Sequence, residues 1–215
     1  SITVGNGGLT LTAGGGTGVD TGNAAILEHN GGAGTTQSIT VNGTGSIVAT
    51  GGSSSLTGMS EQDASRATIL SDNGDSQTIT FTGGGAGRAI TLTGGTNGSD
   101  AYAEIYAGLG TQIITGAGLI TLTGGASGGG LTDGLGNTHG NLAAISADLN
   151  NQTIGANGIL LQGGSGGINN LAALVAGGSQ AITVGAGGLT LGGGSGSTGQ
   201  QKNAAIVIKT SDVPA

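Results

Sequence analysis

The chain has 215 residues, including 52 glycines, one proline and no cysteine, and its formal net charge is −7. Four lysines and arginines are too few for the clustered cations that phosphate binding needs, which excludes a nucleic-acid partner. The glycines lack the Gly-X-Y period of collagen, and no apolar run approaches the roughly 20 residues of a membrane span.

A Gln-x-Ile motif recurs along the chain and divides it into repeats. It begins at Gln37, Gln77, Gln112, Gln152 and Gln180, with spacings of 40, 35, 40 and 28 residues. Such a period is typical of repeat architectures, in which each unit buries its apolar face against its neighbours. The sequence therefore predicts one elongated domain over residues 1–215, with repeats 1–36, 37–76, 77–111, 112–151, 152–179 and 180–215.

Each repeat carries three short segments in constant order, which we call the first, second and third segments. The first segments are residues 2–4, 39–41, 79–81, 114–115, 154–155 and 182–184. The second segments are residues 9–12, 47–50, 90–93, 120–123, 159–162 and 189–192. The third segments are residues 24–26, 67–69, 103–105, 143–145, 172–174 and 204–206.

The residue pattern of these segments indicates β-strands. The first two alternate apolar residues with threonine, which is the period of a strand, and β-branched residues fill them. Gly-Gly or Gly-x-Gly usually follows the second segment, which indicates a corner with positive φ or crowded backbones. The predicted fold is all-β: a parallel β-helix (β-solenoid) of about six three-strand coils with variable Gly-rich excursions. Its length would be on the order of 29 Å.

The repeated glutamines are expected to stack near a corner, each amide hydrogen-bonding to its copies above and below. Isoleucine, leucine and valine of the first two segments, and the Ala-x-Ile pairs of the third, are predicted to point inward. Threonines would form ladders on the outer surface at residues 3, 40, 80, 115 and 183, and at residues 10, 91, 121 and 190.

The outward side of the third segment is unexpectedly apolar. Alternation places two sets of residues there: Ala25, Thr68, Glu104, Ala144, Ala173 and Ala205, followed by Leu27, Leu70, Tyr106, Ser146, Val175 and Val207, with Leu142 and Leu171 beside them. An apolar face of this size needs a cover. Either the excursions fold back over it, or it is an interface with another chain.

Asparagine recurs just ahead of the third segment. Asn23 and Asn203 lie immediately before it, and Asn141 and Asn170 lie one residue further out. Asparagine tolerates the left-handed region and bonds to neighbouring backbone, so we expect a structural turn here.

Two site hypotheses follow from polar residues. One stretch, Gly15-Gly16-Thr17-Gly18-Val19-Asp20, matches the opening of a calcium-binding nonapeptide repeat. Such sites need consecutive copies of the nonapeptide, because adjacent turns share each ion. Asp20 is therefore a weak candidate ligand, and no cofactor is expected. A β-helical carbohydrate-active enzyme would need clustered carboxylates and aromatic platforms. Only Tyr102 and Tyr106 could be platforms, His29 and His139 lie in connectors, and the acids do not pair between repeats. These acids are Glu61, Asp63, Asp72, Asp75, Asp100, Glu104, Asp133 and Asp148.

The unit Gln-x-Ile-Thr, Gly-x-Gly-x-Leu-x-Leu-Thr-Gly-Gly, Asn-Ala-Ala-Ile resembles the repeats of large secreted bacterial β-helical adhesins, of the filamentous-haemagglutinin and autotransporter-passenger type. The likeness covers the whole chain. It implies an extracellular or cell-surface location, with a structural role in a filament or biofilm and no enzymatic reaction. The alternative is an adhesin stalk whose loops bind a host surface or a glycan.

The chain begins just after the place of a further glutamine and ends about where the next one is due, with no polar cap evident. Because open solenoid ends expose strand edges and core, we expect copies to stack head to tail into a homopolymer. The stacking residues would be Val4, Leu9, Leu11, Ile206 and Ile208. The alternative is that the chain is a piece of a longer protein whose caps lie elsewhere.

Overall fold

The computed structural model describes residues 1–16, 23–54, 65–83, 87–98, 100–128, 131–132, 138–195 and 203–208. Regular structure in these residues is β-strand. No helix among them is long and apolar enough to cross a membrane. In chain order the strands are β1 (Ile2–Val4), β2 (Leu9–Thr12), β3 (Gly15–Gly16), β4 (Ala25–His29), β5 (Thr36–Asn42), β6 (Ile47–Thr50), β7 (Ser53–Ser54), β8 (Ala67–Ser71), β9 (Ser76–Thr82), β10 (Ala89–Thr93), β11 (Ala103–Ala107), β12 (Gln112–Thr123), β13 (Leu131–Thr132), β14 (Thr138–His139), β15 (Ala143–Ala147), β16 (Gln152–Gln162), β17 (Ala172–Ala176), β18 (Gln180–Gly192) and β19 (Ala204–Ile208).

Two parallel sheets hold the three segments of the repeats. Sheet one has nine strands and contains the first and second segments, and sheet two has six strands and contains the third segments. Each strand pairs in parallel with the same segment of the next repeat, so that Ile39 lies beside Ile79 and Ile105 beside Ile145. The fold is therefore all-β, parallel and solenoid-like, as the repeat pattern predicts.

The sequence predicts separate strands for the first and second segments of every repeat. The structure differs from this prediction in three repeats. The two segments are continuous in β12, β16 and β18, which have 12, 11 and 13 residues. A register shift between Ile114 and Ala117 bends β12 where Gly116 has a φ of 77°. A Cβ atom there would lie 2.4 Å from the carbonyl oxygen of Phe81, so glycine allows the strand to turn the corner without ending.

Aliphatic side chains from both sheets meet in one core. The inward isoleucines of the first segments of repeats 2 to 5 are fully buried, and the large residues of the second segments are almost equally so. Ile69, Ile105, Ile145 and Leu174 of sheet two complete the core at 0 % exposure. The predicted inward set is therefore confirmed in these repeats except at Val48 and Leu160, which pair with outward Thr91 and Thr121 and so point outward.

The third segment of the first repeat differs from the prediction by one residue. Ala25, and not Ala24, pairs with Ala67, and Leu27 pairs with Ile69. Ala25 and Leu27 therefore pack against the core, whereas Ile26 points outward and is 42 % exposed. The predicted register would have put the carboxylate of Glu28 inside the core, and the one-residue shift places it outside.

The Gly-Gly corners require glycine because neighbouring backbones approach closely there. A Cβ atom on Gly95 would lie 2.1 Å from the carbonyl oxygen of Gly52, and one on Gly125 would lie 2.5 Å from that of Gly95. Of the two reasons that the sequence suggested for these glycines, close approach applies, since neither has a positive φ. Beyond the corners, β3 pairs with β7, and β13 and β14 form a short antiparallel pair that contains His139.

Candidate functional site

The outer face of sheet two forms a trough along the stacking direction. Its central outward positions are Ile26, Thr68, Glu104, Ala144, Ala173 and Ala205, in register order. Longer side chains stand on both sides of most of these positions, for example Tyr102 and Tyr106 beside Glu104. As a result Ala144 and Ala173 are only 5 % and 8 % exposed, although they face away from the core.

The half of this trough nearer the first repeat is polar. It contains a groove of about 410 Å³, which we call the acidic groove and which is lined by Glu28, Arg66, Thr68, Leu70, Asp72, Tyr102, Glu104 and Tyr106. Both tyrosines of the chain and one of its four cationic residues are in this set. Three of the eleven acidic residues are there too, so the groove concentrates side chains that are rare elsewhere in the sequence.

Hydrogen bonds hold two polar groups of the acidic groove in place. Arg66 Nη1 donates to the hydroxyl of Tyr102 at 3.1 Å. Ser146 Oγ, on the neighbouring strand β15, donates to Glu104 Oε1 at 2.7 Å. These contacts orient a guanidinium and a carboxylate along the groove.

Thr68 differs from the other residues of the acidic groove. It is only 4 % exposed, and its Oγ1 atom has no hydrogen-bond partner among the described residues. A buried hydroxyl without a partner loses its bonds to water and gains nothing in return, at about 1–3 kcal/mol. The position lies at the centre of the trough, between Ile26 and Glu104 in the register.

The other half of the trough is apolar. A groove of about 230 Å³ continues over Leu142, Ala144, Leu171, Ala173 and Val175, with Asp148 at its edge. The outer face of sheet two is therefore divided into a polar and an apolar half. Of the excursions expected to cover it, residues 163–169 belong to the described part of the chain, whereas residues 55–63, 129–130 and 133–137 lie outside it.

The repeated glutamines form one continuous stack inside the corner between sheet two and sheet one. The amide nitrogens of Gln77, Gln112, Gln152 and Gln180 donate to the amide oxygen of the preceding glutamine at 2.8, 2.8, 2.7 and 2.6 Å. Gln112 Nε2 also lies 3.2 Å from the carbonyl oxygen of Ile105 and 3.1 Å from that of Ser146. The stack, which we call the glutamine column, thus joins the repeats to one another and the two sheets at their corner.

Asparagines stabilise the opposite end of the third segment. Asn141 Oδ1 accepts from the backbone nitrogen of Ala101, and Asn170 Oδ1 from that of Asn141, both at 2.9 Å. Both side chains are fully buried. We call the register positions of Asn23, Ser65, Ala101, Asn141 and Asn170 the asparagine column.

This column corrects the predicted grouping of the asparagines. Asn23 lies two residues before Ala25, as Asn141 does before Ala143, whereas Asn203 lies directly before Ala204. The predicted backbone bonding is seen, but Asn141 and Asn170 do not have the predicted left-handed conformation. Positive φ values belong instead to Asp100 and Asn169, which precede column positions.

Asp75 is a fully buried acid two residues before Gln77 of the glutamine column, and several groups contact its carboxylate. Its carboxylate is inaccessible, lies 2.8 Å from His29 Nδ1, and accepts from Thr35 Oγ1 and from the backbone nitrogen of Gly31. Burial alone would raise the pKa of Asp75, but these hydrogen bonds and the adjacent imidazole outweigh it and lower the pKa. His29, expected in a connector, is the last residue of β4 and helps to anchor this corner.

Other predicted site residues are scattered. The calcium candidate Asp20 and the acids Glu61, Asp63 and Asp133 lie outside the described residues. Of the predicted stacking residues, Val4, Leu9 and Ile206 pack partly against the core, Leu11 is 7 % exposed and Ile208 is 54 % exposed. Glu28, Asp72 and Glu104 do not occupy equivalent register positions, but they line one groove.

The sequence does not reveal the acidic groove as a site. Neither Arg66 nor Glu28 is marked by a motif, and continuing the predicted alternation of residues 24–26 would turn Glu28 inward. The available signal was the spacing of Tyr102, Glu104 and Tyr106, since alternate residues of a strand share a face.

Comparisons with protein-family models, with curated proteins and with solved structures found no match.

Proposed function

We propose that this chain is a structural segment of an extracellular bacterial filament, a six-coil parallel β-helix whose terminal coils stack head to tail on those of further copies. One observation supports the stacking above others. In the second segments, Ile159 and Leu161 point inward at 1 % and 0 % exposure. Their partners in the last repeat, Leu189 and Leu191, occupy the same inward positions but are 44 % and 46 % exposed.

The difference arises because, among the described strands, none covers the outer edge of β18. An additional coil in the same register would bury these leucines and would pair the backbone groups of that edge. The opposite end offers the matching surface, since β1, β2 and β4 each have a partner on one side only among the described strands. Two different complementary ends produce a contact that repeats without closing, and therefore a fibre.

Assembly can be tested with the 215-residue chain by negative-stain electron microscopy and sedimentation velocity over a range of concentrations. We expect fibres whose axial repeat is on the order of 29 Å, the height of six paired strands. A monodisperse monomer at high concentration would overturn the stacking proposal.

Single-end variants make the test specific. Val4→Asp and Leu191→Asp each place a charge at an inward position of one end, and Thr3→Asp and Thr190→Asp are the matched outward controls. Each inward variant alone should stay monomeric, whereas an equal mixture should form dimers through the two intact ends. Fibres from either inward variant, or a mixture that stays monomeric, would contradict head-to-tail stacking, provided that circular dichroism shows the β-fold retained.

The adhesin alternative, for which the sequence suggested binding through loops, is supported instead by a groove on the strands. The acidic groove lies on the strands of sheet two, along the side of the molecule, where end stacking leaves it accessible.

A further inference from the structure

We infer that the acidic groove is a binding site for a saccharide that carries no acidic group. The inference is independent of end stacking, because the groove lies on the side of the molecule and can be tested on a monomeric variant. Its volume of about 410 Å³ falls within the roughly 300–1,000 Å³ range of small-molecule sites.

The hydroxyl of Thr68 is the observation that points to a ligand. Thr68 lines the groove and is nine-tenths buried, and its hydroxyl oxygen is almost inaccessible to solvent and has no partner among the described residues. Native proteins rarely leave such a group unpaired, since the lost hydration is not recovered. Rotation of the Thr68 side chain about χ1 would turn the hydroxyl toward the groove. A sugar hydroxyl can both donate to it and accept from it there, so a saccharide would satisfy the atom in either orientation.

The two tyrosines supply the apolar part of such a site. Tyr102 and Tyr106 are the only tyrosines in a chain in which 1 % of residues are aromatic, and both line the groove. They stand two residues before and two residues after Glu104; Tyr106 lies in β11 and Tyr102 directly precedes it. An aromatic ring covers the apolar C–H face of a sugar ring, while its phenolic tip and the carboxylate between the rings can bond to hydroxyls.

The charges of the groove select among saccharides. Glu28, Asp72 and Glu104 oppose a single cation, Arg66, within a chain whose net charge is −7. This balance repels uronic acids and sulfated sugars and favours neutral or amino sugars. A metal ion is a poorer candidate, since no three acidic or histidine side chains of the described residues come close enough to hold one.

The test uses the Leu191→Asp chain, so that fibre formation does not interfere, and three trisaccharides of equal length. The probes are a glucose trimer, a glucosamine trimer and a galacturonic acid trimer, measured by saturation-transfer NMR and by titration calorimetry. We expect binding of the neutral and amino trimers, with the amino trimer bound at least as tightly, and no binding of the acidic trimer.

Point variants then locate the site. Thr68→Val keeps the side-chain shape and removes the hydroxyl, so it should weaken binding of the glucose trimer about tenfold while the melting temperature stays the same or rises. Tyr106→Ala should abolish binding. Thr40→Val, on the outer surface of sheet one, is the matched control and should bind like the parent.

Several results would overturn the inference. These are binding of none of the three trimers, equal binding of the acidic trimer, and binding that Thr68→Val and Tyr106→Ala leave unchanged. A melting temperature lowered by Thr68→Val with affinity unaffected would assign the hydroxyl a structural role instead. If a lysine-rich peptide binds and none of the three sugars does, the ligand of the groove is a cationic polypeptide and not a saccharide.

Discussion

Two columns of buried amides run along the molecule at opposite ends of sheet two, one made of glutamines and the other mostly of asparagines. In the glutamine column the side chains bond to each other, with four successive amide contacts of 2.6–2.8 Å. In the asparagine column the side chains bond to backbone, as Asn141 Oδ1 does to the nitrogen of Ala101. The amide group thus bonds to a side chain of its own kind in one column and to backbone in the other.

This difference explains how strictly each column repeats. A glutamine satisfies its copy in the preceding repeat, so a replacement at one level leaves polar groups without partners at two levels. An asparagine satisfies backbone groups nearby, and other residues can occupy its position when the local chain path differs. Ser65 and Ala101 do so, whereas every described repeat from the second onward retains its glutamine.

Gln112→Leu should have the largest effect, because Gln112 lies in the middle of its column. The change removes the donor to Gln77 and the acceptor of Gln152, and it leaves the carbonyl oxygens of Ile105 and Ser146 without their amide. We expect the free energy of unfolding to fall by about 3 kcal/mol, from about 1–3 kcal/mol for each unsatisfied buried group. Urea denaturation followed by circular dichroism measures it.

The matched control is Gln180→Leu, at the half-buried end of the column, where one amide contact is lost. It should cost about 1 kcal/mol. Equal losses for the two variants would show that the column does not act through its neighbours.

Asn141→Ala should have an intermediate effect. It leaves the nitrogen of Ala101 and the carbonyl oxygen of Ser127 without partners but does not reach a second side chain of the column. The expected loss is about 2 kcal/mol by thermal unfolding. Asn23→Ala removes one contact of an exposed asparagine and should cost less than half as much. A loss for Asn141→Ala as large as that for Gln112→Leu would remove the distinction between the columns.

Asp75 tests a carboxylate close to the amides of the glutamine column. Its pKa is lowered from 3.8 in the folded chain, so it stabilises the fold above pH 4, and that contribution is lost as the pH falls through the lower folded value. Unfolding measured between pH 6 and pH 2 should show this decline. Asp75→Asn should flatten it, because an amide does not titrate there. An unchanged pH profile in Asp75→Asn would assign the decline to other acids.

Ser65→Ala should have the smallest effect. Ser65 occupies an asparagine-column position, is fully buried, and its hydroxyl has no partner among the described residues. Removing the hydroxyl should leave stability unchanged or raise it by up to about 1 kcal/mol. A clear loss of stability would show that serine performs the role of asparagine in this repeat.

The sequence predicted features that depend on repetition and missed those that depend on one local choice. The stacking of Gln112 and the burial of Ile105 follow from a period that many copies share. Residues 24–28 permit two alternations, and only the cost of burying Glu28 decides between them. Asn203 was grouped with Asn23 because of this same uncertainty of one residue. The acidic groove was missed because it joins residues of three repeats that no common motif marks.

The direction of the glutamine contacts gives the molecule an electrical polarity. In each of the four pairs the later glutamine is the donor and the earlier one the acceptor, so the five amide dipoles point the same way. As in an α-helix, aligned dipoles add, and here the last amide, that of Gln180, presents its oxygen toward the end of the stack. A growing fibre of such units would have a donor end and an acceptor end. Subunits would therefore add at the two ends with different rate constants.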